Sequence, residues 1–302
     1  MESRTFPAKV LLFGEYAIIR GASALAVPFH DFGGRWAFSE NEGESQELSG
    51  LAAYLEGLRG SGELLTSMHI GRFRDDIRKG LYFNSTIPVG YGLGSSGALV
   101  AAVYDSYGPN RKRESRPEKL KPVLAQIESF FHGSSSGIDP LVCLLDRPLL
   151  LKDSRHTELV ELPKGIASGR GGIFLLDTGI SRETGPLVRI FLSKCEDLAF
   201  DELVEDKLGG MGNAAIRAFL SDNWNGLQFL FAEISRFQWD HFQEMIPVAF
   251  RAIWSKGLNS PHFRLKLCGA GGGGFLLGMA PDLETAKKEL APHRIIPVHR
   301  WD

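Results

Sequence analysis

Cysteine is scarce, with three residues among 302. Cys143, Cys195 and Cys268 stand far apart and form no CxxC pair, which argues against a disulfide framework and a cysteine-based zinc site. Long apolar runs are missing too, since nothing approaches the roughly 18 residues that a membrane span needs. Neither sign of charge dominates. Lys and Arg number 34 against 36 Asp and Glu, a formal charge of −2, so electrostatics make no case for nucleic acid or a membrane as partner. The dipeptide GK does not occur, which excludes a GxxxxGK[ST] phosphate loop. The opening residues MESRTFPAKVLLFGEY carry no basic stretch followed by a long apolar run and a small-residue cleavage site; a cytoplasmic location is expected.

What is present is an ordinary globular composition, 43% hydrophobic and 23% charged, with length enough for two modest domains. Apolar patterning predicts strands at Lys9–Phe13, Ala24–Phe29 and Arg35–Phe38, a polar loop over Asn41–Gly50, helices at Leu51–Leu58 and Ile70–Lys79, and a strand at Leu81–Pro88. Further helices are predicted at Gly97–Tyr107, Leu124–His132 and Asp139–Leu145. Between the first two of these, Gly108–Lys121 carries six Lys or Arg residues and reads as a solvated connector. Composition shifts at Pro163–Gly172, which places a boundary between domains 1–170 and 171–302. The second half reads as a strand at Ile173–Asp177, helices around Pro186–Leu203, Asn213–Leu220, Leu227–Gln238 and Pro247–Lys256, then strands at Phe263–Cys268, Phe275–Met279 and Ile295–His299 about a helix at Leu283–Leu290. Two α+β halves are expected.

Glycine is the outlier, at 35 residues against an ordinary share of about 7%. Many fall in three clusters, Gly90–Gly97, Gly133–Gly137 and Gly269–Gly274. In the first, Pro88-Val-Gly-Tyr-Gly-Leu-Gly-Ser-Ser-Gly97 runs straight into a helix. A helix starting at Ser95 or Ser96 aims free N–H groups and a positive dipole end at the loop, and two hydroxyls stand ready for phosphate oxygens or a metal. Gly90, Gly92, Leu93, Gly94, Ser95, Ser96, Gly97 and Ala98 are therefore expected to bind a polyphosphate. GLGSSG and GAGGGG (Gly269–Gly274) both match GxGxxG, but the first lies some 90 residues into the chain and the second precedes a strand, so neither sits where a dinucleotide fold needs it. The middle cluster, HGSSSGID (His132–Asp139), contains GxSxG around Ser135. A serine hydrolase would need a strand before it and His and Asp partners in order; a helical segment precedes it instead. The carboxylates beside it suit phosphoryl transfer better. Of Glu128 and Asp139, eleven residues apart, one can hold magnesium and the other can orient or deprotonate an alcohol.

Three motifs in order, Lys9-Val-Leu-Leu-Phe-Gly-Glu-Tyr-Ala17, Pro88–Gly97 and Lys266-Leu-Cys-Gly-Ala-Gly-Gly-Gly-Gly274, resemble those of the GHMP small-molecule kinases, named for galactose, homoserine, mevalonate and phosphomevalonate. The spacing of Glu128 and Asp139 about the HGSSSGID loop is most similar to the mevalonate kinase branch. The resemblance implies a two-domain fold, a ribosomal-protein-like α/β N-terminal domain and a ferredoxin-like C-terminal domain. It implies an ATP- and magnesium-dependent enzyme that phosphorylates the primary hydroxyl of mevalonate. Asp139 would act on that hydroxyl, Lys9 would lie near the transferred phosphate, and Ser96 with Glu128 would hold magnesium. Glu15, Tyr16, Gly271, Gly272 and the Arg182 and Thr184 of a DTxxxRxT-like segment (Asp177–Thr184) would lie on the substrate side. A homodimer would be in keeping with relatives.

The first motif departs from that branch by reading GEY, with Tyr16, where its members usually read GEH. Tyr at that place, and GLGSSG in the second motif, are features of phosphomevalonate kinases, which form the alternative reading. A catalytically silent nucleotide-binding regulator is a further one, disfavoured because Lys9, Ser96, Glu128 and Asp139 are all present.

Overall fold

The computed structural model describes residues 4–39, 45–109, 116–153 and 156–302. The described residues pack as two compact units that interleave along the chain, within Met1–Lys9, Pro28–Pro88 and Leu93–Arg147 for the first, and Val10–Val27, Val89–Gly92 and Pro148–Asp302 for the second. Strands β1 (Phe6–Phe13) and β2 (Ala24–Phe38) each run from one unit into the other.

In the first unit the later half of β2 pairs antiparallel with β3 (Leu81–Ser85), from Gly34 opposite Ser85 to Phe38 opposite Leu81. β2 is one strand of 15 residues rather than the two expected. The HDFGG segment reads as a break in the apolar pattern, yet pairing continues through Gly34, where the pattern gives no reason for it. Helix α1 spans Gln46–Ser61, so the predicted loop over Asn41–Gly50 is corrected at its end; residues 41–44 lie outside the described residues. The Ser45 hydroxyl caps this helix by accepting from Leu48 N–H, and Leu48, Leu51, Ala52 and Leu55 form its buried stripe. Helix α2 (Ile70–Arg78) buries Ile70, Phe73 and Ile77.

The core of this unit is helix α3 (Ser95–Tyr107), where Gly97 through Val103 are all buried. Packed with it are α4 (Pro117–His132) and α5 (Ile138–Leu145). Proline stands in the first turn of α4, where no N–H partner is lost. The helix thus takes in the end of the basic segment that reads as a connector, and residues 110–115 of that segment lie outside the described residues.

In the second unit, β4 (Leu149–Leu151) pairs with β5 (Thr157–Leu159) on one side and with Ala24–Ala26 of β2 on the other. The rest is built on a sheet of β6 (Gly171–Asp177), β7 (Arg264–Leu267), β8 (Phe275–Ala280) and β9 (Ile295–Trp301). Its order is β7-β8-β6-β9 and every pairing is antiparallel. With helices between β6 and β7 and one between β8 and β9, this is the order of a ferredoxin-like sheet. The insertion after β6 holds α6 (Thr184–Lys194), α7 (Leu198–Leu203), a π-helical turn (Val204–Gly209), α8 (Gly210–Leu220), α9 (Trp224–His241) and α10 (Arg251–Asn259). The helix expected over Pro186–Leu203 is two, because Asp197 accepts from Ala199 N–H and starts a second. Helix α11 (Leu283–Glu289) precedes β9. No described helix is long and apolar enough to cross a membrane.

A boundary near residue 170 and this packing differ in where they cut. Residues 10–27 and 148–170 join the second unit because β4 hydrogen-bonds to the start of β2.

Candidate active site

Each unit gathers its own set of the expected site residues. In the first, Lys9 lies on β1 with its N–H donating to Leu93 O at 2.9 Å, which ties the backbone just before α3 to the strand. Its Nζ lies 3.0 Å from Asp139 Oδ1. Asp139 sits in the first turn of α5, and its position depends on Gly97. A β-carbon at residue 97 would stand 2.9 Å from the Asp139 backbone and side chain, so only glycine lets α3 and α5 approach this closely. Gly94, at φ 75°, ends the loop as the residue before α3, and the free N–H groups of the first helical turn, Ser95 to Ala98, follow it.

Ser96 connects this turn to the second carboxylate. Its Oγ lies 3.3 Å from Glu128 Oε1 and 3.0 Å from His132 Nε2. Ser135 Oγ donates to the other oxygen, Glu128 Oε2. Glu128 projects from the last part of α4 and is 5% exposed. Burial, and then the charge of Asp139, push its pKa up to about 7, while the Ser135 hydroxyl, Lys9 and Ser96 pull the other way. Among the described residues no group of three or more His, Cys, Asp or Glu could enclose a metal ion. A Mg²⁺ site shared with phosphates needs only one or two carboxylates, and the convergent oxygens of Ser96 and Glu128 fit that hard-donor chemistry.

The second unit holds Glu15, Tyr16, Gly90, Gly92, Arg182, Thr184, Gly271 and Gly272. Glu15 forms an ion pair with Lys266, which is fully buried and also donates to Leu267 O at 3.1 Å. Burial raises the Glu15 pKa, and the Lys266 ammonium opposes the rise. Tyr16 takes a left-handed conformation, φ 61°. Its hydroxyl donates to Ala270 O at 2.6 Å, and its ring packs on Phe191 and Phe242. Desolvation raises its pKa as well.

Arg182 N–H donates to Gly90 O at 3.0 Å, and its guanidinium reaches Thr184 Oγ1 at 2.9 Å and Cys268 O at 3.4 Å while filling the space beside Gly92. Gly271 and Gly272 have positive φ, and Gly272 N–H donates to Met245 O at 2.6 Å. The third glycine loop is therefore shaped by named bonds to its neighbours rather than left loose.

Two groups in these sets were not expected. Lys266 opens the third motif, yet the sequence signal for it, two cations alternating with apolar residues in FRLKLC, points only to a strand. Ser135 reads from sequence as part of a rejected hydrolase motif, and the structure turns its hydroxyl to Glu128 instead.

Residues 63–147 match the model of the GHMP kinases N terminal domain. A mevalonate kinase of Pyrococcus abyssi is 30% identical over 240 residues, covering 70% of this chain and 67% of that protein. A mevalonate kinase of Thermococcus onnurineus is 27% identical over 313 residues, covering 92% of this chain and 89% of the relative. Among solved structures, the L. major mevalonate kinase in complex with R-mevalonate is 16% identical with a TM-score of 0.66, covering 99% of this chain and 97% of the other. With its three ordered motifs, its α+β fold and these relatives, the chain belongs to the GHMP kinase family and within it is most like the mevalonate kinases.

Proposed function

We propose that this chain is an ATP-dependent kinase that transfers the γ-phosphoryl group to the primary hydroxyl of mevalonate. The observation that carries the reading is the pairing of Lys9 with Asp139 in the same unit as Ser96, at the start of α3, and Glu128, near the end of α4, in a chain similar to mevalonate kinases over 92% of its length.

Phosphoryl transfer asks a protein mainly for alignment and charge neutralisation. Asp139 orients the hydroxyl and takes its proton as the oxygen bonds to the γ-phosphorus; the bond to the β,γ-bridging oxygen breaks and ADP leaves. Lys9, 3.0 Å from that carboxylate, stabilises the alkoxide character that develops and the charge on the phosphoryl oxygens. Leu93 to Ala98 cradle the phosphates, with the α3 N-terminus facing them. Ser96 and Glu128 would hold magnesium, which supplies positive charge to the phosphate oxygens. Tyr16, Arg182, Thr184, Gly271 and Gly272 form the substrate-side set, and Glu15, paired with Lys266, holds its segment in place behind them. The reading also includes a homodimer in the cytoplasm, with neither nucleic acid nor a membrane as partner, checked by light scattering and fractionation.

The test is ADP release by purified protein with ATP and magnesium, comparing mevalonate and phosphomevalonate, with galactose and homoserine as controls. Turnover on mevalonate alone is expected. Turnover on phosphomevalonate alone would replace the alcohol acceptor by a phosphate and overturn the reading.

A further inference from the structure

The GxSxG segment of the middle glycine cluster has no place in the reading above, yet its serine is bonded on both sides. Ser135 Oγ donates its one proton to Glu128 Oε2 and accepts the Gly137 N–H at 2.9 Å. Gly137 is the residue before α5, and Asp139 lies in the first turn of that helix. On the other side, Glu128 Oε1 receives Ser96. A hydroxyl has a single proton, so with Ser96 donating to Glu128 the Nε2 of His132 is the donor in the 3.0 Å contact to Ser96. The two carboxylate oxygens of Glu128 are thus each oriented by a serine, one from α3 and one from the loop between α4 and α5.

A glutamate side chain is long and loses much rotational freedom when it is fixed. A ligand carboxylate already held by a neighbouring hydroxyl loses less on binding a cation, and removing a partner behind a ligand commonly costs about 10- to 100-fold in metal affinity. Each carboxylate oxygen carries two lone pairs, so the bond from Ser135 leaves acceptor capacity on Oε2. Ser134, Ser135 and Ser136 are adjacent and chemically alike, but it is the Ser135 hydroxyl that reaches Glu128; Ser136 Oγ instead meets Ile138 N–H at 3.4 Å.

We propose that Ser135 is a positioning residue for the cation site: its hydroxyl holds the Glu128 carboxylate ready for a divalent ion and ties it to the start of the helix that carries Asp139. The proposal rests on the reading of Glu128 as a magnesium ligand, and the experiment separates the two.

Mn²⁺ binding is followed by electron paramagnetic resonance in the presence of a non-hydrolysable ATP analogue, for wild type, Ser135→Ala, Ser135→Thr, Ser134→Ala and Glu128→Gln. Affinity for the same analogue in EDTA serves as the control for a folded nucleotide site. Ser135→Ala is expected to weaken Mn²⁺ binding about tenfold or more with metal-free nucleotide affinity unchanged. Ser135→Thr, which keeps the hydroxyl, is expected to restore most of it, and Ser134→Ala to behave as wild type. If Glu128→Gln loses Mn²⁺ but Ser135→Ala keeps wild-type affinity, the role of Ser135 is overturned. It is overturned equally if Ser134→Ala loses as much or Ser135→Thr fails to restore binding in a protein that still binds the analogue in EDTA. Wild-type Mn²⁺ affinity in Glu128→Gln would instead remove Glu128 as a ligand. That outcome defeats the underlying reading rather than the hydrogen bond.

Discussion

Each packing unit holds, among its candidate site residues, a lysine paired with a carboxylate, and the two pairs differ in almost every respect but charge. Lys9 and Asp139 touch at 3.0 Å with the aspartate side chain 34% exposed. Lys266 and Glu15 are sealed, with side chains 0% and 3% exposed, and the ammonium lies over the rings of Phe13 and Phe231. The first pair can exchange partners with a ligand or a proton; the second has nowhere to send either. Coulomb attraction is stronger in the sealed environment, but so is the penalty for removing one partner. The exposed pair is thus suited to chemistry and the sealed one to holding its segment in register.

Breaking each pair should therefore damage different things. Asp139→Asn is expected to lower kcat by about a hundred- to ten-thousand-fold while moving stability by no more than about 1 kcal/mol, as for a partly exposed ion pair. Steady-state kinetics and a urea melt on one preparation check both halves. Lys266→Met is expected to do the reverse in kind, costing about 3–5 kcal/mol of stability because Glu15 is left buried without its cation. Adding Glu15→Leu should recover much of that loss, since an apolar replacement of both partners leaves no orphan. A single variant as stable as wild type would mean that the sealed pair contributes nothing.

The comparison sharpens with a third acid. Glu128 is buried like Glu15, but serines rather than an ammonium hold it. Its folded pKa of about 7 lies above the ordinary 4.5, so between those values the folded form binds more protons than the unfolded one. Without metal or nucleotide, stability should fall as pH rises from about 4.5 to about 7, by on the order of 2–3 kcal/mol. Glu128→Gln should flatten that slope, as read from denaturation midpoints across the range. Parallel pH profiles for the two proteins would defeat the assignment.

The legibility of these features in the sequence followed their range. Local devices were plain: the glycines and serines before α3, its apolar run, and the eleven-residue interval from Glu128 to Asp139. Features decided by distant partners were hidden. β4 and β5 are three residues each and gain their identity by pairing. β2 continues through HDFGG as a single strand. Glu15 and Lys266 stand 251 residues apart, and nothing local pairs them. The hydroxyl of Ser135 was visible as a residue, but only its aim at Glu128 gives it a use.

The pairing of Ala24–Ala26 with Leu149–Leu151 also orders events in time. During synthesis the early strand leaves the ribosome long before its neighbour exists, and the remainder of its unit, including β9, comes last of all. The nascent chain must carry Val10–Val27 as an apolar segment awaiting a late partner. Distant closures of this kind slow folding and leave strand edges open to association. A fragment released at Arg147 would hold Lys9, Ser96, Glu128 and Asp139 yet keep the Ala24–Ala26 edge without its mate.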